Sequence, residues 1–296
     1  MNILVTGGSG FIGSHVVDKL VDAGHQVRVF DLKRPYRDDV EFFQGDITCR
    51  DDVTKGLSGR DVIYHIAALS NVDLIKDHPL AAVEQNILGT AYLLEQCRQQ
   101  GVKRFIFASS VFVFDERGHL YTTGKLASEL LCKNYHTLFS LPYTILRYGT
   151  ACGPRSRAAD VISRFVQKAL KGENIVIHGS GKQKRRFTHV EDLALGSVAA
   201  LQPIAENKTY TIASRPPVSI ERLAEIVKGL LNNEIAIEYD SAREDDYGGA
   251  VLDINLAKKE LGWEPMVDIE EGIKRYIEWY QADAGSSPAS HRSKID

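Results

Sequence analysis

Tyr121 and Lys125 stand four residues apart in Tyr121-Thr122-Thr123-Gly124-Lys125. On a helix this spacing puts both side chains on one face. A phenol titrates near pH 10. A neighbouring ammonium favours its ionised form, so the pair reads as a general base made usable nearer neutrality. The chain holds twelve tyrosines, and a Tyr-x-x-x-Lys would arise by chance about once, so position carries the weight. The pair follows the fifth strand candidate, whose far end presents Ser109 and Ser110. The ends of such strands are where active sites lie.

A second block opens the chain. Gly8-Ser9-Gly10-Phe11-Ile12-Gly13 is a G-x-G-x-x-G, and Gly7 adds an overlapping G-x-x-G-x-x-G. It follows an apolar run and opens an amphipathic helix, the context in which such glycines bind a dinucleotide. Glycines permit the tight turn and the close approach of backbone to a pyrophosphate, and the helix N-terminus adds N–H donors and partial positive charge. Asp31 ends the second strand candidate. Its carboxylate would accept from both adenosine ribose hydroxyls and repel a 2′-phosphate, so NAD is expected over NADP. Lys33 and Arg34 pull the other way. A cationic nicotinamide near Tyr121 would favour the phenolate further.

The scaffold for these residues is written in alternating periodicities. Strand candidates are Ile3–Thr6, Val27–Asp31, Glu41–Gln44, Val62–Ala67, Arg104–Ser109 and Tyr143–Arg147. Helical spacing fills Ile12–Ala23, Arg50–Gly56, Leu80–Gln99 and Tyr121–Phe139 between them. The alternation implies an α/β fold with a parallel sheet covered by helices on both faces. Past Gly153-Pro154 the rhythm loosens. Helices are expected at Val161–Leu170, Glu191–Leu201, Ile220–Leu231, Asn255–Leu261 and Ile269–Tyr280, and strands at Ile175–Ile177, Phe187–Val190 and Thr209–Ala213. Residues 1–154 are therefore read as a dinucleotide-binding domain and 155–284 as mainly a substrate-binding region, with 187–214 returning to the first. Residues 285–296, rich in Ser, Ala, Pro and charge, read as a disordered tail.

Composition is that of a soluble globular protein, with 44% hydrophobic and 25% charged residues. A net charge of −3 gives no reason to expect nucleic acid as a partner, although a local Arg/Lys cluster could hold a small anion. No run approaches the roughly 18 apolar residues of a membrane span. The segment Met1–Gly7 reads as a strand leading into the glycine loop and not as a signal peptide, so no membrane contact and a cytoplasmic location are expected. Cys49, Cys97, Cys132 and Cys152 show neither C-x-x-C nor metal-ligand spacing and read as free thiols.

Together these blocks resemble the extended short-chain dehydrogenase/reductase family, and within it the NAD-dependent nucleotide-sugar epimerase/dehydratase group. The resemblance runs from Met1 to about Tyr280. It takes in the Thr6–Gly13 loop, Gly45-Asp46-Ile47, His65-Ile66-Ala67-Ala68, Asn86-Ile87-Leu88-Gly89-Thr90, Tyr121 with Lys125, Arg147-Tyr148, Gly153-Pro154-Arg155 and Leu261-Gly262-Trp263-Glu264-Pro265. It implies a Rossmann-type doubly wound parallel sheet with a smaller C-terminal α/β substrate-binding region. It further implies that Tyr121 removes a proton from a sugar hydroxyl, that Ser110 hydrogen-bonds the same oxygen, and that Lys125 holds the nicotinamide ribose. Gly7, Gly10, Phe11, Ile12, Gly13, Asp31, Asp46, Ile47, Ala67, Ala68, Asn86 and Tyr148 would complete the NAD site. Ser110, Thr150, Arg185 and Arg243 would meet the substrate. Read without the family, the cluster Lys182–Arg186 is a solvated basic face.

The activity so implied is 4-epimerisation of a nucleotide-sugar, a UDP-hexose or UDP-hexuronate, through a transient 4-keto sugar, with UDP favoured over dTDP or GDP. A nucleotide-sugar 4-ketoreductase or dehydrogenase using NAD(P) is the alternative. A regulatory dinucleotide binder is a third reading, against which intact Ser110, Tyr121 and Lys125 speak. A homodimer is implied as well, packed through the apolar faces of Leu80–Gln99 and Tyr121–Phe139.

The chain also departs from the family. Val113-Phe114-Asp115 replaces the usual Val-Tyr-Gly, and only ten residues separate Ser110 from Tyr121, which shortens the loop over the sugar. Thr150 stands for a common asparagine and Cys152 for a common tyrosine. Val111-Phe112 occupies the place where dehydratases carry Asp-Glu and decarboxylases a nearby Glu, which leaves epimerisation or simple oxidoreduction. His65, His178 and His189 read as structural, His65 packing beside the cofactor, and Trp263 and Trp279 as core anchors.

Overall fold

The structure, a computed structural model of the chain, describes residues 1–114, 119–214, 216–231, 234–241 and 253–286. The first half comprises β1 (Asn2–Thr6), α1 (Phe11–Asp22), β2 (Gln26–Asp31), β3 (Glu41–Gln44), α2 (Arg50–Leu57), β4 (Val62–His65), α3 (Val72–Asp77), α4 (Pro79–Val83), α5 (Gly89–Gln100), β5 (Arg104–Ser110), α6 (Leu120–Phe139) and β6 (Tyr143–Tyr148). The second half comprises β7 (Thr150–Cys152), α7 (Val161–Leu170), β8 (Ile175–His178), β9 (Lys184–Arg185), β10 (Phe187–His189), α8 (Val190–Ala199), β11 (Lys208–Ile212), β12 (Val218–Ser219), α9 (Ile220–Leu231), β13 (Ile237–Asp240), α10 (Asn255–Leu261) and α11 (Ile269–Ser286).

Seven strands form one sheet in the order β11-β6-β5-β4-β1-β2-β3, every pair parallel. Chain order runs outward in both directions from the β1–β4 boundary. That reversal is the topological switch point, beside which α/β sheets bind their ligands at the strands' carboxyl ends. A central parallel strand is covered on both faces, and accordingly all four residues of β4 are buried. Leu4, Ile63, Phe105, Phe107 and Ile145 share one apolar cluster with Leu93, Leu94 and Cys97 of α5. Each such side chain contributes about 1.5–3 kcal/mol by leaving water.

The chain divides into two compact units. The first is Met1–Tyr148, Leu193–Ile212 and Leu252–Trp263; the second is Gly149–Asp192, Ala213–Val251 and Glu264–Asp296. The second has its own core, where Ile162, Phe165 and Val166 of α7 meet Leu223 and Val227 of α9 and Ile273, Tyr276 and Ile277 of α11. Its strands are short and pair as β7–β10, β9–β12 and β8–β13.

Several expected boundaries move. The break falls after Tyr148 and not at 154, because β7 leaves the large sheet and pairs with β10, Thr150 opposite Phe187. For the same reason the return to the first unit begins at Leu193 and not at 187. Helix α10 belongs to the first unit, where its Glu260 accepts from Lys208 Nζ at 2.8 Å and Tyr210 Oη at 2.6 Å. The single helix expected over Leu80–Gln99 starts with Pro79 and is interrupted by a wide π-helical turn, Glu84–Leu88. Gly285 and Ser286, expected in a disordered tail, close α11; 287–296 lie outside the described residues.

Candidate active site

At the switch point the glycine loop leaves no room for side chains. Gly7 has φ +71°, and a Cβ there would lie 2.6 Å from Ala67 N, in the loop after β4. A Cβ on Gly13 would lie 2.0 Å from Gly7 O. Gly10 N donates back to Gly7 O at 3.1 Å, and Ala67 N to Thr6 O at 3.0 Å, closing the two loops against each other. Helix α1 begins at Phe11 with Gly10 as N-cap, without a side-chain cap and without acid in its first turn. Its first N–H groups therefore suit an anion held above Gly10, Phe11, Ile12 and Gly13.

Asp31 ends β2, with its Oδ2 accepting from Ser9 N at 3.0 Å and its Oδ1 from Lys33 N at 3.1 Å. The carboxylate thus braces the glycine loop. Burial pushes its pKa up, against those backbone donors. Asp46 accepts from both Thr48 N and Thr48 Oγ1 through Oδ1, at 2.9 and 2.8 Å, a tight Asx turn. Ile47 is buried, its side chain lying where a Cβ on Gly89 would fall. Ala67 and Ala68 are half-buried.

Asn86 sits in the π-helical turn and is buried. Its Oδ1 accepts from Leu69 N at 2.8 Å and its Nδ2 donates to Leu69 O at 2.9 Å. The expected cofactor residue therefore works in this structure as a clamp on the loop after β4. Beneath it runs a buried chain of hydroxyls. Thr90 Oγ1 donates to Asn86 O at 2.8 Å, so His65 Nε2, 2.9 Å away, must donate to Thr90. His65 Nδ1 then accepts from Thr6 Oγ1 at 2.8 Å. Burial, and secondarily the charge of Lys125, pushes His65 down to about 3. It stays neutral and structural, in line with its reading from the sequence.

The proton chemistry gathers where β5 ends. Lys125 is 4% exposed, and its Nζ donates to Ala108 O at 2.7 Å, two residues before Ser110. The same ammonium lies 4.8 Å from the Phe107 ring centre and 5.8 Å from that of Tyr121. Burial pulls Lys125 down to about 8, opposed by the charge of Glu129. Ser110 is buried and its Oγ accepts from Phe112 N at 3.2 Å. The turn Val111–Phe114 carries only apolar side chains. Phe112 meets the Tyr121 ring edge-on, with centroids 6.3 Å apart.

Two residues at this corner were not singled out from the sequence. His119 caps α6, its Nδ1 accepting from Tyr121 N at 3.2 Å, and its ring stacks on Tyr121. Glu129 is buried, accepts from Ser109 Oγ at 2.6 Å, and receives Arg147 Nε and Nη2 at 2.8 and 2.6 Å. The signal for Glu129 was its spacing: it extends the Tyr121, Lys125 face by another four residues.

The remaining candidates fall elsewhere. Tyr148 turns into the core, where its hydroxyl shares a 2.6 Å hydrogen bond with Ser197 Oγ of α8. Only its backbone remains available to a cofactor. Thr150 and Arg185 lie in the second unit, on β7 and β9, and Thr150 N donates to Arg186 O at 3.0 Å. Arg243 lies outside the described residues, as do residues 115–118 of the shortened loop.

The family described as NAD dependent epimerase/dehydratase matches residues 3–213. The chain belongs to that family. It is an NAD-dependent enzyme of the extended short-chain dehydrogenase/reductase type. A provisionally named UDP-glucose 4-epimerase of Methanocaldococcus jannaschii is 34% identical to it, covering 94% of this chain and 97% of its own length. A UDP-glucuronate 4-epimerase of Thermodesulfobacterium geofontis is 31% identical, covering 93% and 95%. UDP-glucuronic acid decarboxylases are also among the relatives. The crystal structure of a Thermotoga maritima UDP-glucose 4-epimerase with UDP-glucose superposes with a TM-score of 0.91 at 29% identity, over 96% of this chain and all of that one. The residues of this epimerase-family enzyme fit NAD: a glycine cradle that a Cβ would fill, an uncapped helix start, and a carboxylate at the end of β2.

Proposed function

We propose that the protein inverts C4 of a UDP-sugar, a UDP-hexose or UDP-hexuronate, through a transient 4-keto sugar, with Ser110, Tyr121 and Lys125 as its catalytic residues. The observation that carries the reading is the buried Lys125, tied to the end of β5 and facing Tyr121 from one turn along α6. NAD, held by the glycine loop and Asp31, would supply two-electron redox chemistry at C4, first as the oxidant that breaks the C4–H bond and then, reduced, as the source of the hydrogen that re-forms it. Tyr121, as phenolate, takes the C4 hydroxyl proton and later returns it. Ser110 hydrogen-bonds that oxygen, and Lys125 stabilises the phenolate and holds the nicotinamide ribose. Asp31 accepts from the adenosine ribose, Asp46 and Ile47 face the adenine, and Thr150, Arg185 and Arg243 meet the substrate diphosphate. The apolar Val111 and Phe112 beside Ser110 support epimerisation over elimination or decarboxylation, which need a carboxyl group there.

Incubation of the purified protein with NAD and a panel of UDP- and dTDP-sugars, including a hexose and a hexuronate, tests this. A C4-inverted product without lasting reduced-cofactor absorbance is expected. Stoichiometric reduced cofactor would make the protein a net dehydrogenase, and a pentose from the hexuronate would make it a decarboxylase.

The protein is further read as a homodimer. Leu126 and Leu130, 39% and 58% exposed, stand one turn apart on α6, an apolar stripe that a second copy would cover. Sedimentation should return twice 32.9 kDa, and Leu130→Glu should return the monomer. No helix among the described residues is long and apolar enough to cross a membrane; a cytoplasmic location remains part of the proposal.

A further inference from the structure

Tyr121 is the second residue of α6, in the least secure turn of the helix. The first four N–H groups of a helix have no intrahelical partner, and helix ends fray. A phenol placed there needs outside support to stay aimed. Much of that support comes from one residue. His119, the N-cap, accepts from Tyr121 N through Nδ1 at 3.2 Å, and its carbonyl accepts from Thr123 N at 3.0 Å. A ring nitrogen accepts only where it carries no proton, so Nδ1 of the capping ring is unprotonated.

Serine, threonine, aspartate and asparagine usually fill this position. Histidine is an uncommon choice, and its ring does what those side chains could not. It stacks on the Tyr121 ring, with centroids 6.0 Å apart and planes 29° from parallel. Phe112 completes a triangle. Its ring centre lies 6.3 Å from each of the other two, edge-on to Tyr121 at 78° and tilted by 53° to His119. These separations are those of favourable aromatic pairs, and all three residues are half-buried. An aspartate would cap the helix equally well, but its charge beside the phenol would oppose ionisation.

The triangle reaches Ser110 as well. Phe112 N donates to Ser110 Oγ at 3.2 Å, and Phe112 O accepts from Thr122 Oγ1 at 3.3 Å. The turn after β5 is thereby hooked to the first turn of α6 by a hydrogen bond and by ring contacts. The bond from Phe112 N takes up acceptor capacity of Ser110 Oγ and leaves its O–H as a donor.

We propose that His119 is a positioning residue: by capping α6 and stacking on Tyr121, together with Phe112, it holds the phenol where it and Ser110 reach the same sugar oxygen. The inference rests on the catalytic reading of Ser110 and Tyr121 given above. A cap alone would matter only for stability, and any good cap would replace it. A ring that sets the aim of the base is not replaced in that way. Its loss acts on turnover, because a misplacement of about 1 Å can cost about a hundredfold in rate. Binding of nucleotide and cofactor is left alone.

The test is His119→Asn, which keeps an acceptor suited to the N-cap and removes the ring. The variant should melt at the parent's temperature, retain NAD and keep the KM for a UDP-sugar, while kcat falls by about ten- to a hundredfold. Phe112→Leu should show the same split between kcat and KM. Combining the two should cost little more than either alone, as two halves of one support do. A second readout needs no turnover. In protein labelled with fluorotyrosine, the fluorine resonance of residue 121 is identified by its loss in Tyr121→Phe. In His119→Asn it should narrow and move toward the free amino acid, as a ring released from its neighbours does.

Undiminished kcat or an unmoved resonance in folded His119→Asn would overturn the proposal and leave the epimerase reading intact. If His119→Asn does not fold, His119→Ser and Phe112→Leu carry the same expectations. Failure of all three to fold would assign the triangle to stability and overturn the proposal. A parent protein that turns over no nucleotide-sugar would overturn the epimerase reading, and the resonance would still decide whether His119 holds the ring.

Discussion

The loop after β1 and the corner where β5, α6 and β6 meet lie on the same edge of one sheet and are built in opposite ways. The loop is almost all backbone: Gly7 and Gly13 have Ala67 N and Gly7 O so close that no side chain could enter. The corner is almost all side chain, with Lys125, Glu129 and Arg147 buried or half-buried and locked by hydrogen bonds of 2.6–2.8 Å. One place fails when an atom is added, the other when a charge is taken away. Binding an anion needs bare N–H groups at close approach, whereas moving a proton needs charges whose titration the surroundings have displaced.

Variants at each place should separate these two failures. The largest effect is expected at the corner: Tyr121→Phe should lower turnover by about 10²–10⁴-fold while leaving the retained NAD unchanged by extraction and quantification. Preserved turnover would remove Tyr121 as base. Next comes the loop. Gly13→Ala places a Cβ 2.0 Å from Gly7 O and should cost about 3 kcal/mol or more of fold stability or NAD affinity, measured by calorimetry with and without NAD. An unaltered Kd would mean the cradle is looser than drawn.

Lys125→Met should split activity from stability. Lys125 lies at about 8 in the fold against an ordinary 10.5. Its neutral form therefore favours the fold; that contribution is complete above about 10.5 and is lost as pH falls through about 8. Without NAD, the Met variant should exceed the parent in denaturation free energy at pH 7 by about 2–3 kcal/mol, and the gap should close as pH approaches 10.5. A gap independent of pH would break the argument. Asp31→Asn should weaken NAD about tenfold and narrow its advantage over NADP, read by fluorescence titration of both cofactors. Since burial raises Asp31 above its ordinary pKa, the parent should lose NAD affinity at higher pH than an exposed carboxylate would. The smallest effect tests the rule about added atoms. Gly229→Ala in α9 meets nothing within 4 Å and should stabilise by about 0.5–1 kcal/mol.

The same contrast governs what could be read from the sequence. The loop was legible because its requirements are local: glycines at fixed spacing between an apolar strand and a helix, and a carboxylate at the next strand end. Strands β1, β2, β3, β5 and β6 and helices α1, α2 and α6 were placed within a residue or so for the same reason, since periods of 2 and 3.6 are properties of neighbours along the chain. Glu129 and Arg147 were not legible as a pair, because their partnership crosses 18 residues and two elements. The side-chain direction of Tyr148 was not legible, because strand alternation alone does not say which side faces α8. The second unit resisted most. Its strands β9 and β12 have two residues each, too few to show any period, and the departure of β7 from the large sheet depends on where β10 arrives.

The turn Glu84–Leu88 holds one residue more per turn than the helices on either side of it. Residues before and after it are therefore out of phase by about 100°, the rotation of one α-helical position. A deletion of one codon within 84–88 would restore ordinary phase and leave every strand untouched. It would also swing Asn86 away from Leu69, releasing both hydrogen bonds that hold the loop after β4. In evolutionary terms, the posture of that loop rests on the length of a helix and not on the identity of any residue in the loop.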